Sequence, residues 1–119
     1  MQYMIMFHET PDDFAQRQDA RAETYWAGWM SYIGALQQSG IVVNGDGLLP
    51  PSDSTSVRIR GGKRQLQDGP FADTKEQLGG YFIIEVPNLD AALDWASKAP
   101  CASSGGVEVR PVMPPMPKS

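Results

Sequence analysis

Two runs of the chain alternate between faces with a period of two residues, and they limit the possible folds more than any other pattern. Residues 2–8 and 80–86 are largely apolar on both faces, which is typical of strands in the middle of a sheet. Between them, Trp26, Trp29, Ile33 and Leu36 recur at three-and-four spacing, which predicts one core-facing side of a long helix. Strands and a helix that must share one core predict a mixed α+β domain.

Cap and turn residues mark where the elements begin and end. Thr10 and Pro11 suit the start of a helical segment, and Gly40 suits its end. A short strand, 41–44, then leads into a loop. Residues 54–69 predict a hairpin, because the pair Gly61-Gly62 can take the positive φ angles of a tight turn. A helix at 88–99, capped by Asn88, and a strand at 105–112 complete the chain.

The resulting order is β, long α, β, hairpin, β, α, β. It contains the plan of a ferredoxin-like sheet with an inserted β-hairpin. We therefore expect an α+β fold of the ferredoxin-like class, with one domain at residues 1–113 and a proline-rich C-terminal tail at residues 114–119. In such a sheet both helices cover one face, so the apolar residues of the other face predict a homodimer that packs sheet against sheet to form an α/β barrel.

Composition narrows the possible partners. The 119 residues carry 10 Lys and Arg against 14 Asp and Glu, a net charge of −4, which repels a phosphate backbone and argues against nucleic acid. We find neither a signal peptide nor an apolar run long enough to span a membrane. Cys101 is the single cysteine and has no basic neighbour in sequence to activate it. The expected setting is the cytoplasm.

Three stretches carry a resemblance to a known family. They are "DGPFADTKEQLGGYFIIEV", "LDAALDWA" and "GGVEVRPV", and together they resemble the DGPF branch of the YCII-related family over nearly the whole chain. The resemblance implies a ferredoxin-like domain that dimerises into an α/β barrel, a bacterial cytoplasmic setting, and a functional link to a sigma factor of the extracytoplasmic-function type. The wider YCII group resembles small-molecule isomerases and dehalogenases of the muconolactone type, and a His–Asp pair is the proposed catalytic centre of the YCII group.

The chain departs from that family pattern at the histidine. The His of the family pair sits on the first helix, where this chain has "TYWAGWMSYIG", and an ungapped count from Gly40 places Trp29 at the equivalent turn. The only histidine is His8, at the end of the first strand. The His–Asp chemistry is therefore not carried over.

The DGPF corner has a structural interpretation and a neighbouring functional one. Asp68 to Phe71 reads as a turn whose phenylalanine anchors in the core. The following "ADTKEQL" is interpreted as a segment over the mouth of a pocket, where it presents Asp73, Thr74, Lys75 and Glu76 to a ligand. The glycine pair after it allows close approach of a ligand or another chain.

Other residues are candidates for acid–base chemistry or for a pocket wall. His8 and Asp46 form an acid–base pair if their strand ends adjoin, and Asp73 is a third catalytic candidate. Trp26 and Trp29 belong to an aromatic line that either fills the core or walls an apolar pocket. No metal site is predicted, and no cofactor, since ligand spacing and a phosphate loop are both missing.

Two functions remain open. The first is a small-molecule-binding or regulatory dimeric domain with a small organic ligand. The second is an isomerase-, lyase- or dehalogenase-like enzyme in which His8, Asp46 or Asp73 moves a proton at a barrel pocket. The missing family histidine favours the first, and whether the protein is an enzyme stays undecided.

Overall fold

The computed structural model describes residues 1–116 as one four-stranded antiparallel sheet, a separate two-stranded hairpin and three helices. The strands are β1 (Gln2–Glu9), β2 (Val42–Gly47), β3 (Thr55–Arg60), β4 (Lys63–Asp68), β5 (Gln77–Glu85) and β6 (Gly106–Pro111); the helices are α1 (Pro11–Gln16), α2 (Ala22–Gln38) and α3 (Leu89–Ser97). The main sheet has the order β2-β5-β1-β6, so the predicted α+β, ferredoxin-like fold is confirmed. Residues 114–116 of the predicted tail have no regular structure, and residues 117–119 lie outside the described part.

The core lies between the two longer helices and one face of the main sheet. Ile5, Leu36 and Ile84 are fully buried there, and each such side chain contributes roughly 1.5–3 kcal/mol relative to leaving it exposed. The ring of Phe7 packs edge-on against Trp29, with centroids 4.9 Å apart. Both helices cover the same face, since the Tyr32 hydroxyl of α2 donates to the carbonyl of Trp95 on α3 over 2.8 Å.

The caps were predicted correctly, but the first helical segment is divided in two. Thr10 and Asp13 form a reciprocal capping box at the start of α1, and Asn88 caps α3. The helix that begins at Pro11 ends at Gln16, and α2 begins only at Ala22. The side chain of Arg17, at the break, turns back to Glu9.

The core-facing side of α2 also differs from the prediction. Trp29, Tyr32 and Leu36 are its buried residues, whereas Trp26 is 44% exposed. The face that packs on the sheet is thus rotated towards Tyr32. This rotation leaves Trp26 beside a cavity instead of inside the core.

The hairpin of β3 and β4 turns at Gly61 and Gly62, which both have positive φ as predicted. It stands apart from the core, and Ile59 and Leu66 are exposed. Phe71, expected to anchor the corner in the core, is 58% exposed and lies beneath the Arg58 guanidinium, 4.3 Å from its ring centroid. The anchoring prediction was wrong, because the hairpin leads the chain away from the core before the corner.

Candidate functional site

A cavity of about 570 Å³ opens between α2 and the β2–β5–β1 part of the sheet. Its wall is mainly apolar and aromatic: Phe7, Tyr25, Trp26, Trp29, Ile33, Leu48, Leu49, Pro50 and Phe82 all contribute. Glu9 and Arg17 lie together at its polar end. An apolar hollow with a few converging polar groups is the usual form of a small-molecule site.

Glu9 reaches the cavity because β1 keeps its alternation to its last residue. Tyr3, Ile5 and Phe7 face the helices, and Glu9 follows on the same side and is only 1% exposed. A buried carboxylate requires a counter-charge or hydrogen bonds. Glu9 has both: its Oε2 lies 2.7 Å from Arg17 Nη2, and its Oε1 accepts a hydrogen bond from the Tyr25 hydroxyl.

Arg17 ties three elements to this carboxylate. Its Nε donates to the Tyr25 hydroxyl over 3.1 Å, its Nη1 to the carbonyl of Leu48 over 2.6 Å, and its Nη2 to the carbonyl of Gly79 over 3.2 Å. Trp26 donates its indole N–H to the backbone carbonyl of Arg17 over 3.2 Å. We call Glu9, Arg17 and Tyr25 the polar triad.

The electrostatics keep the Tyr25 hydroxyl neutral and the Arg17 guanidinium charged at neutral pH. Burial raises the pKa of Tyr25 above its ordinary value, and its hydrogen bond to Glu9 raises it further, so the hydroxyl stays protonated. For Arg17, burial acts to lower the pKa, but the hydrogen bond with Tyr25 and the charge of Glu9 outweigh it and raise the pKa. Arg17 is thus positively charged, and it lies beside the neutral hydroxyl of Tyr25.

The glycine pair within β5, Gly79 and Gly80, makes room for this arrangement. The pairing of β1 with β5 slips between Phe7 and His8, so that Gly79 stands as an extra residue opposite the polar triad. A Cβ at Gly79 would overlap Glu9 Oε2 and lie 3.0 Å from Arg17 Nη2. At Gly80 a Cβ would lie 3.1 Å from the carbonyl of Asp46 on β2.

The residues predicted to act as catalysts fall on different parts of the structure. His8 lies on the sheet face opposite the helices, with its Nε2 3.5 Å from Glu108 Oε1. Asp46 lies on β2 at the cavity wall and not in a loop as expected, because the strand continues through its glycines. β5 separates the strands of His8 and Asp46. The structure does not make them neighbours.

The segment between β4 and β5 lies beside the cavity. Asp73 and Thr74 line a second hollow of about 400 Å³ with Pro11, Phe14 and Gln77, and Glu9 reaches both hollows. Thr74 Oγ1 donates to the carbonyl of Glu76 over 2.7 Å. Lys75 and Glu76 are exposed, and within residues 1–116 they do not line the cavity.

Trp26 and Trp29, the predicted ligand-binding tryptophans, both line the cavity. Trp29 stands where the family resemblance expects a histidine, and its ring packs on Phe7. Cys101 is buried, and burial raises the pKa of its thiol to about 12, so it is a poor nucleophile. Within the described part of the chain, no group of three or more His, Cys, Asp or Glu side chains is placed to hold a metal ion.

Sequence reasoning did not identify Glu9 and Arg17 as site residues. The signal for Glu9 was present: it continues the buried side of β1, and a carboxylate at a buried position implies a partner. The signal for Arg17 was weak, because an arginine between two helices reads as a surface residue until the fold brings it against Glu9.

The protein is a ferredoxin-like α+β domain, and its candidate site is an aromatic cavity with the polar triad at one end. The chain belongs to the YCII-related family, since the model of the YCII-related domain matches residues 1–115. An uncharacterized protein from Rhizobium meliloti (strain 1021) is 43% identical over 67 residues, which are 55% of this chain and 54% of that protein. The matched region thus spans about half of that relative.

A solved structure shares the fold across almost the whole chain. It is 5-chloro-2-hydroxyhydroquinone dehydrochlorinase (TftG) from Burkholderia phenoliruptrix AC1100, in complex with 2,5-dihydroxybenzoquinone. The TM-score is 0.57 at 16% identity, over 95% of this chain and 94% of the other. Similarity at this identity supports the fold. Among residues 1–116, the helices are too short or too polar to cross a membrane.

Proposed function

We propose that this protein is a small-molecule-binding domain whose ligand is a small, planar aromatic compound. The observation that carries the proposal is the cavity itself: about 570 Å³, with the aromatic residues Phe7, Trp26, Trp29 and Phe82 in its lining and the polar triad at one end. Flat aromatic walls favour a flat ring, and the few polar groups at one end fix its orientation. A regulatory role, including the sigma-factor link implied by the family resemblance, would use the same cavity as a sensor.

Trp26 gives a direct test of this site. Replacing Trp26 by alanine removes one wall, and we expect it to weaken binding of a hydroquinone-type probe by about tenfold or more, since a large aromatic contact is lost. Binding is measured from quenching of tryptophan fluorescence and from the rise in melting temperature that a ligand produces by mass action.

Leu89 provides the matched control for that test. It is 46% exposed, close to the 44% of Trp26, but it lies on α3 away from the cavity. Leu89→Ala should leave probe binding unchanged. Equal loss of binding in the two variants, or failure of the wild-type protein to bind any small aromatic compound in a screen, would reject the cavity as the site.

An enzymatic function is the second candidate, and one observation favours it. Glu9 has oxygen lone pairs beyond its bonds to Arg17 and Tyr25, and it faces the cavity from a nearly water-free position. A carboxylate so placed can accept a proton from a bound phenol. The test is release of chloride from 5-chloro-2-hydroxyhydroquinone, the compound named for the structural neighbour. Chloride release that is abolished by Glu9→Gln would support an enzymatic function. Binding of the compound without chloride release would support a ligand-binding domain that does not catalyse a reaction.

We also propose that the protein acts as a homodimer. Met4, Met6, Tyr81 and Ile83 lie on the sheet face opposite the helices and are only half-buried in the single chain. A cluster of half-buried apolar side chains at the middle of an open sheet face is unusual on a monomer. A second copy of the same face is the simplest cover, because the same residues then meet across a two-fold axis.

The dimer is tested by a charge placed on that face. Met6 pairs in register with Glu108, so Met6→Glu places two negative charges side by side on one chain. In the proposed dimer, the partner presents the same two charges across the interface. We expect light scattering to give twice 13.0 kDa for the wild type and about 13.0 kDa for Met6→Glu. Met30→Glu, at a 70% exposed position of α2, should leave the dimer intact. A wild-type mass of one chain would rule out the dimer.

A further inference from the structure

We propose that the cavity selects an uncharged aromatic compound with a hydroxyl or amide group and rejects the corresponding carboxylate. This inference rests on the proposed function and names the chemistry of its ligand. Arg17 is the one basic residue among the described residues that line the cavity, and Glu9, in contact with it, balances its charge. The lining therefore has no surplus positive charge to balance an anion.

The hydrogen bonds of Arg17 are almost all used by the protein. A guanidinium has five N–H groups. Those of Arg17 donate to the Tyr25 hydroxyl, the Leu48 carbonyl, Glu9 Oε2 and the Gly79 carbonyl. One N–H, on Nη1, remains. A carboxylate binds an arginine best through two parallel N–H groups, and Arg17 has only one left to give.

The other two members of the polar triad offer lone pairs rather than hydrogens. The Tyr25 hydroxyl donates its hydrogen to Glu9 and accepts from Arg17 Nε, so one lone pair remains. Glu9 is an acceptor at every free site. A carboxylate placed here would set acceptor against acceptor beside the buried Glu9, which costs free energy.

A hydroxyl or an amide matches the groups that remain. Its hydrogen can reach a lone pair of Tyr25 or Glu9, and its oxygen can accept the free Nη1 hydrogen of Arg17. The ring then lies between the side chains of Phe7, Trp26 and Trp29. The unpaired hydrogen-bonding groups of the polar triad thus select the neutral ligand, because the corresponding carboxylate cannot satisfy them.

The test compares benzamide with benzoate, which have nearly the same shape and differ in charge, and includes hydroquinone as a hydroxyl probe. For the wild-type protein at neutral pH, we expect benzoate to bind at least about tenfold more weakly than benzamide. Glu9→Gln removes the negative charge with little change in shape. In this variant we expect the ratio of benzamide affinity to benzoate affinity to fall by about tenfold, since the positive charge of Arg17 is then unbalanced.

The outcomes separate the inference from the function on which it rests. Benzoate binding as tightly as benzamide would overturn the charge selection and leave the ligand site standing. No binding of any of the three probes, nor of other small aromatic compounds, would overturn both. If Glu9→Gln does not fold, the wild type still decides, because the ratio of its benzamide affinity to its benzoate affinity tests the selection directly.

Discussion

Replacing Arg17 by alanine is expected to lower the free energy of unfolding by about 3–5 kcal/mol, because the carboxylate of Glu9 would stay buried without a counter-charge. The carbonyls of Leu48 and Gly79 would lose a donor in the same step. Urea denaturation followed by circular dichroism measures the change. Among the arginine-to-alanine replacements, we expect this one to lower the free energy of unfolding most, since Arg17 is the arginine paired with Glu9.

Arg21 is the control for the charge itself. It pairs with Asp12 and Asp19 in full contact with water, and such pairs add little stability. Arg21→Ala should therefore leave the unfolding midpoint essentially unchanged. If Arg17→Ala unfolds at the same urea concentration as Arg21→Ala, the pairing of Arg17 with Glu9 is not the buried contact described above.

A double replacement separates stability from binding. A buried ion pair is often no more stabilising than apolar residues of the same volume, so Glu9→Leu combined with Arg17→Met should recover much of the stability lost by Arg17→Ala. Ligand binding should not recover, because the hydrogen-bonding groups are gone. Recovery of both would mean that the polar triad serves the fold alone.

Gly79→Ala is expected to cost about 1–3 kcal/mol of stability and to weaken ligand binding as well, because its methyl group would occupy the position of the Glu9 carboxylate. Glu9 must then move from Arg17 or the strand must shift away from β1. The two effects are read from urea denaturation and from probe titration.

Gly106→Ala is the matched control for that replacement. Gly106 is also a strand glycine, on β6, and a Cβ there meets no atom within 4 Å. It should retain both stability and binding. Equal behaviour of the two variants would contradict the close approach of Gly79 to the polar triad.

Much of the fold follows from local chemistry that is visible along the chain. Thr10 and Asn88 cap helices because their side-chain oxygens satisfy free N–H groups wherever they occur. Gly61 and Gly62 turn the hairpin because few other residues take positive φ. Their effects act over three or four residues, so a single sequence is enough to predict them.

The prediction failed where an outcome depends on distant parts of the chain. Phe71 was expected in the core, but an apolar residue becomes buried only if the fold places a core beside it, and here the hairpin leads away. Trp26 and Trp29 share a helical repeat and both line the cavity, yet Trp26 is largely exposed and Trp29 is buried in the core, since the rotation of α2 is set by packing against the sheet.

In the candidate site, too, local features can be predicted from the sequence, whereas contacts between distant residues cannot. Alternation along β1 is enough to place Glu9 on the buried side, because side-chain direction in a strand is a local property. Its partners are 8 and 16 residues further along the chain, and the glycine that makes room for them is on β5. No local pattern links Glu9 to Arg17, Tyr25 and Gly79: the chain must first fold into a sheet covered by α2. The residue types and elements can thus be read from the chain, whereas the pairing that gives the cavity its chemistry depends on contacts between residues far apart in sequence.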